Sequence, residues 1–589
     1  MSENISRRDL LKFGGVVGAS AAIAGLAGCA AGAENASSAS ASSASASSAA
    51  ASSAEASASA AASSAAAASA AGTTTGATLA AGHAREGLPN WLEAPAQITD
   101  ISEEKDFDIV VVGAGAPGCP AALIAAENGA KVALIQKQAR ANAYGNTGSG
   151  VDLKNSDPAQ VAALLNLCLK QNQYRSDVDL MKMWFDYGGE AVSYVIEKAT
   201  EGGAQVVDQG NQQHAPTQAK NGWDNITMVT SFFGPKPYNT GNGMQDLCTV
   251  LESAGVEIFY ETPAQQLVVN DSGAVTGVIA QAKDGSNIQF NASKGVIMAT
   301  GDYQCDTDML AYYLPDMVNL EPKQDQRTGD GHKMVIWAGG CMENIGHTKM
   351  LHDFDAGPAS MCDMPFLRTK MSGERFVNET VEMSVMNCFL NSAEDGGEYV
   401  QVFDNDYMEK AAEFPGKLVD PEEIRVYIPE DDGVSHDEGV LKAFINTHKA
   451  DTIEELAELL EIKDVDTFKA SIDRWNEICD AGSDPDFGLP AQYLKKIDTP
   501  PYWGIHRHVR FSAFCSGVKI DRDLQCLTPE GEKIEGLYAI GNCSGGFYGG
   551  IDYPLDVPGM NLGRNYTQGY CLGRALATGK SIWDFEPVK

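Results

Sequence analysis

A chain of 589 residues with 43 Lys and Arg against 79 Asp and Glu carries a formal charge of -36. That balance argues against a nucleic-acid backbone as main partner and against electrostatic adhesion to anionic lipid, since both need a basic face. Apolar residues at 44% supply a sizeable core within a length that allows two to four domains, and the 60 glycines exceed the usual ~7%, so their positions are the first question.

Ser6-Arg7-Arg8-Asp9-Leu10-Leu11-Lys12 precedes a small-residue apolar stretch from Phe13 to Gly28. Paired arginines before a modest apolar region read as a twin-arginine export signal, and the stretch is too short and weakly hydrophobic for a membrane span. Leu26-Ala27-Gly28-Cys29 resembles a bacterial lipobox, so residues 1–28 are expected to be a signal, with Cys29 lipidated. From Ala30 to Gly82 nearly every residue is Ala, Ser, Gly or Thr, and such a segment cannot offset its ordering entropy by burial. Residues 29–100 are therefore expected to be a disordered, flexible tether. The 13 cysteines include Cys29 and twelve scattered others with no C-x-x-C, so no metal, iron–sulfur or haem site is expected.

Phe107 to Val112 is a β-branched run typical of a buried parallel strand, and it leads directly into Gly113-Ala114-Gly115-Ala116-Pro117-Gly118. A helical pattern from Pro120 to Asn128, a capping Gly129 and a second strand from Lys131 to Gln136 follow. This is the context that a dinucleotide-binding G-x-G-x-x-G requires: one glycine for the turn, one for close approach of a pyrophosphate, one for helix–strand packing. The helix N-terminus supplies amide donors to the phosphates. The second strand ends on Gln136, where an acidic residue normally binds the adenosine ribose; the amide still offers hydrogen bonds with one charge fewer.

Asn142 to Gly150 (NAYGNTGSG), Lys294 to Asp302 (KGVIMATGD), Thr328 to Met334, Ser372 to Glu379, Asp451 to Gly488 and Gly536 to Asn542 occur in order along the body. Together they resemble the FAD-binding fumarate reductase and 3-ketosteroid dehydrogenase superfamily. The resemblance implies an α/β fold: a Rossmann-like FAD-binding domain over about 101–343 plus 496–589, interrupted by an α+β capping domain over about 344–495. It implies FAD contacts from the turn residues Gly113, Gly115, Ala116, Pro117 and Gly118, and from Gln136 and Lys137. Further contacts are implied for Asn146, Thr147, Gly148 and Ser149, for Ala264, and for Thr300, Gly301 and Asp302. The C-terminal contacts are Gly541, Asn542, Gly559, Asn561 and Leu562.

The resemblance also implies hydride transfer at the flavin coupled to proton transfer across a carbon–carbon bond. Three cationic positions of the fumarate reductases are here Met408, Met383 and about Ala513, and the arginine that clamps a carboxylate after Asn542 is missing. A dicarboxylate such as fumarate would bury its charge unpaired, which excludes fumarate as the substrate, and the same missing arginines disfavour the monocarboxylates urocanate and acrylate. Aromatic residues stand in their place. Tyr553, in a segment resembling the ketosteroid dehydrogenase signature, and Tyr407, on the cap, are the catalytic candidates. Arg375 is a third, with His347 and His352 behind it.

The expected activity is reduction of an activated C=C bond in an enone-like, uncharged small molecule of steroid or plant-phenolic type. The alternatives are the same chemistry run backwards, as a ketosteroid-type dehydrogenase, a urocanate- or acrylate-type reductase, and a flavin-fold ligand-binding lipoprotein. With no haem motif and no second nicotinamide fingerprint, electrons are expected from a separate membrane cytochrome or quinol-linked donor at the outer face of the membrane.

Overall fold

The computed structural model describes residues 90–235, 238–352, 361–362, 364–414, 447–550 and 557–589. Cys29 and Tyr553 lie outside them. The tether ends earlier than residue 100. Trp91 and Leu92 are the first large apolar pair after the Ala/Ser run, and they bury: Leu92 enters the core and Trp91 packs on Tyr312 and Tyr313. The Gln266 amide then takes the Ile98 N–H at 3.0 Å and donates to the Ala96 carbonyl at 3.0 Å.

The fold is mixed α/β around one large sheet. Its order is Gln525–Leu527, Lys533–Ala539, Asn287–Met298, Ile101–Val112, Val132–Ile135 and Glu257–Phe259, with all but the first pairing parallel. Ile109 to Val112 and Val132 to Ile135 are buried on both faces, which is why these runs are uniformly apolar and do not alternate. The hairpin Ala264–Val269 and Val275–Gln281 extends the sheet antiparallel from Asn287–Met298.

Helix Gly118–Glu127 crosses between the first two parallel strands, and helix Met560–Thr578 lies against it. Gly569 and Gly573 permit that approach: a Cβ on either would stand 3.1 Å from the Pro117 carbonyl carbon or 3.0 Å from that of Ala121. A three-stranded sheet (Thr147–Val151, Met228–Phe233, Val206–Val207) sits on helix Val178–Glu201, whose Trp184 indole donates to the Ser149 carbonyl at 2.8 Å.

The cap is a four-stranded antiparallel sheet, ordered Leu367–Lys370, Glu398–Phe403, Tyr502–His508, Thr447–Ala450. Strand Tyr502–His508 follows residue 496, the expected return to the cofactor domain, yet it pairs inside this sheet. Helices Ile453–Leu459 and Val465–Ala481 cover one face, with Leu456, Phe468 and Trp475 filling the space between.

Arg375 ties the cap together. Its guanidinium bonds Glu379 at 2.8 and 2.7 Å and Asp484 at 3.2 and 2.8 Å, between the rings of Trp475 and Phe487. Both carboxylates are fully buried. Replacing Arg375 with Met leaves two buried charges without their partner, so the variant is expected to lose ~3 kcal/mol or more of stability in chemical denaturation; unchanged stability would sink this assignment.

Candidate functional site

The strand Ile101–Val112 delivers the chain to Gly113 at the carboxyl edge of the sheet, where φ is +113° and the N–H donates to the Ile135 carbonyl at 2.8 Å. A Cβ on Gly113 would overlap the Ala299 carbonyl, 2.9 Å from its carbon; one on Gly118 would stand 3.1 Å from the Gly113 carbonyl carbon. Gly115 is different, meeting only Asn142 O at 3.4 Å and Pro117 Cδ at 3.8 Å. Two glycines are thus required by packing and one leaves its face open to a ligand. Pro117 occupies the N-cap of helix Gly118–Glu127 without a side-chain cap; the Cys119 N–H donates to the Gly115 carbonyl at 3.1 Å and Pro120 has no N–H, so the Gly118 N–H is the first-turn amide left for a phosphate.

A cleft of about 640 Å³ opens there, lined by Gly113, Gly115, Gln136, Lys137, Ala264 and Thr300, and also by Tyr144, Thr262, Arg327 and Asp330. The Gln136 amide nitrogen donates to the Arg140 carbonyl at 3.1 Å, which commits its donor to the protein. Lys137 Nζ bonds Thr328 at 2.8 Å and Asp330 at 3.0 Å. Gly301 turns the chain at φ +78°. Asp302 is buried beneath, accepting the Phe514 N–H at 3.1 Å; burial pushes its carboxyl up, and Arg327 acts in the opposite direction.

The remaining sequence-predicted contacts gather around the start of helix Met560–Thr578. Ser149 donates its N–H to the Gly559 carbonyl at 3.0 Å and its hydroxyl to Pro558 at 2.7 Å. Gly148 and Thr147 face Gly559, Leu562 reaches into the space left at Gly145, Asn561 is buried in the first turn, and Asn146 is exposed. Ala116 is buried beside Pro117. Gly541 presses on Pro117, where a Cβ would stand 2.7 Å from Cγ, and its N–H donates to Gln568 at 2.7 Å. Buried Arg564, which no sequence motif singles out, donates to the Gly541 carbonyl.

Thr147 Oγ1, Asn542 Oδ1 and Asn565 Oδ1 are buried with no hydrogen-bond partner among the described residues. Buried polar atoms are normally satisfied. Orphaned oxygens beside a pyrophosphate-binding turn therefore fit a hydroxylated, phosphate-bearing cofactor such as FAD.

The catalytic candidates do not converge. Tyr407 begins helix Tyr407–Ala412 and is buried in a cap cluster with Phe403 and Trp503, at ring distances of 5.1 and 5.9 Å. Arg375 belongs to the cap's ion-pair centre, and the described acceptors of its guanidinium are carboxylates of the cap's own fold. His352 stands opposite Arg510 in a two-stranded ribbon. His347 is buried against the cofactor domain: Nδ1 bonds the Tyr303 hydroxyl and the ring stacks on Tyr313 at 4.4 Å. Sequence reasoning passed over Tyr303, because nothing in Ala-Thr-Gly-Asp-Tyr shows that its hydroxyl meets residue 347. Met383 is buried, and Ala513 pairs with Met350 in the ribbon.

A glycine turn at a parallel sheet's carboxyl edge, a facing loop at 147–149 and a separate cap define an FAD-dependent oxidoreductase. The chain belongs to the FAD-binding domain family, whose profile matches residues 108–553, and a twin-arginine translocation signal profile matches residues 4–24. Vinyl phenol reductase of Lactiplantibacillus plantarum is 28% identical over 81% of this chain and 97% of its own length. Urocanate reductase of Eggerthella lenta is 26% identical, over 75% of this chain and 70% of its own length. Digoxin reductase of the same organism is 25% identical, over 79% and 88% respectively. Among solved structures, the open conformation of a flavocytochrome c3 fumarate reductase superposes with TM-score 0.60 at 21% identity, over 81% of this chain and 79% of that one. The 3-ketosteroid-Δ4-(5α)-dehydrogenase of Rhodococcus jostii follows at 0.57 and 18%, over 82% and 99%. The chain therefore carries FAD chemistry that acts on C=C bonds, and a signal for export across the cytoplasmic membrane.

Two outcomes follow from the geometry. Gly118→Val drives a side chain into the Gly113 carbonyl, so the purified variant is expected to be colourless; retention of bound flavin would contradict the placement. Burial also pushes His214, His332 and His347 down to about 4, 3 and 4. These rings are neutral when folded and protonate on unfolding below about 6.5, so stability falls as pH drops from 6.5 toward 4, by ~1.4 kcal/mol per pH unit for each. His332→Gln should remove about one such contribution from the slope of unfolding free energy against pH, and an unaltered slope would show that His332 does not contribute.

Proposed function

We propose that this protein reduces the activated C=C bond of a neutral ring compound of plant-phenolic type, such as a vinyl phenol, outside the cytoplasmic membrane. What carries this reading is that the positions which the family resemblance matches to cations of the fumarate reductases are neutral here, at Met383, Met408 and about Ala513. The three fully buried arginines described do not take their place. Arg368 donates to the carbonyls of Val381 and Cys362, Arg507 to Gln401, and Arg564 to the Gly541 carbonyl and Ser544. The 28% match to a vinyl phenol reductase over 97% of its length supports the same class.

FAD, when bound, would supply the hydride for one carbon of the double bond. Residues 113–118 and 147–149, with Gly541, Asn542 and Gly559, would hold that group. Tyr407 and Tyr553 are the candidates for delivering a proton to the other carbon, since a phenol near pKa ~10 donates readily. Arg375 serves by holding the cap's shape. His347, neutral at pH 7 and hydrogen-bonded by Tyr303, suits an uncharged substrate better than a carboxylate. The match to a digoxin reductase favours a steroid-type ring as the second reading. Cys29 is read as the site of a lipid anchor that keeps the enzyme beside a membrane cytochrome or quinol-linked donor.

The test is to reduce the purified protein chemically and offer vinyl phenols, steroid enones, cinnamates, urocanate and fumarate while following flavin reoxidation. Fastest reoxidation by a vinyl phenol is expected; fumarate in first place would overturn the neutral-site argument. Tyr407→Phe or Tyr553→Phe should slow turnover by ~10² if that residue is the acid, whereas an unchanged rate removes it from the role.

A further inference from the structure

The mouth of the cofactor cleft has two lips, residues 137–144 on one side and 325–330 on the other, and both line the cavity that begins at Gly113. Three contacts cross between them. The Tyr144 hydroxyl donates to the Asp325 carboxylate. The Arg327 guanidinium lies 4.8 Å over the Tyr144 ring. Lys137 Nζ reaches Thr328 at 2.8 Å and Asp330 at 3.0 Å. Beneath them Gly301 provides the slot: a Cβ there would stand 3.1 Å from Arg327 Cζ, so the guanidinium fits between Gly301 and the Tyr144 ring because residue 301 has no side chain.

These contacts are poorly placed to stabilise the fold. Asp325 and Gln326 are exposed and Tyr144 and Arg327 are only half-buried, so hydrogen bonds and cation–π contacts here compete with water. They are well placed to obstruct a path. A dinucleotide held along Gly113, Gly115 and Gln136 would have to pass the point where Tyr144 meets Arg327 in order to leave. Contacts intact in the closed state and broken in the opening transition slow release by the energy that they give the closed state. The phenol of Tyr144 is pushed up to about 12, chiefly by burial and then by the Asp325 carboxylate, so it remains a donor at any working pH.

We propose that Tyr144, Arg327 and Asp325 form a latch over the cofactor cleft that sets the rate of FAD release. Its function suits an exported protein, because FAD lost outside the membrane is diluted away and an intact latch makes loading close to irreversible.

The test uses the full-length, FAD-loaded protein, diluted into a scavenger of free FAD, with release followed by recovery of flavin fluorescence. Tyr144→Phe, which removes one exposed hydroxyl, and Arg327→Met, which removes the cation at nearly constant length, are each expected to speed release roughly threefold, and together about tenfold or more. The loss of unfolding free energy in saturating FAD should not exceed the change in release rate converted at ~1.4 kcal/mol per tenfold. Release rates within twofold of the parent for Tyr144→Phe and Arg327→Met overturn the latch, as does a loss of unfolding free energy well beyond that conversion, which means general loosening. Should the double variant not fold, Tyr144→Phe alone decides, by the same twofold criterion.

Discussion

The backbone of residues 113–118 touches the backbone of residues 299–300 with no side chain between them, and the rest of the site is arranged around that contact. It brings two parallel strands far apart in sequence, Ile101–Val112 and Asn287–Met298, to a common edge. It also fixes the start of helix Gly118–Glu127 at the cleft. Helix Met560–Thr578 then packs on that helix through Gly569 and Gly573, which carries Gly559, Asn561 and Leu562 to the facing loop at 147–149. A methyl group at Gly113 would push against Ala299, nearly two hundred residues on, and one at Gly118 would push against the Gly113 turn itself.

The cofactor half of the site is legible in the sequence because its determinants are local. A β-branched run, three glycines at fixed spacing and a second run lie within about thirty residues, and each type is dictated by its own backbone environment. Gln136 and Asp302 show where that legibility thins. Both depart from the family pattern. At Asp302 a long-range amide, the Phe514 N–H some 200 residues away, becomes the partner of a buried carboxylate. No spacing rule anticipates such a pairing.

The substrate half is much less legible. Arg375 reads as a catalytic candidate, yet Asp484, over a hundred residues later, closes an ion-pair centre around it. Tyr407 reads as an acid on the cap and lies in a cluster with Phe403, Trp503 and the buried Met361 and Met364. Its neighbours come from three separate segments of the cap. Residues 90–100 fail for a simpler reason, because composition averaged over a low-complexity run hides the two large side chains with which it ends.

Strand Tyr502–His508 has a mechanical consequence. It is the third strand of the cap sheet, and after the single residue Val509 the chain becomes Arg510–Phe514, which pairs with Lys349–His352 and whose last amide holds Asp302. Val509 is fully buried and its N–H is fixed at 2.8 Å to the Gly397 carbonyl, so no slack loop separates the two halves. A rotation of the cap is therefore transmitted as tension along an extended segment, which rises 3.2–3.4 Å per residue and cannot lengthen. The pull arrives at Asp302 beneath the cofactor turn, so movement on the substrate side and the seating of the flavin share one taut line of backbone.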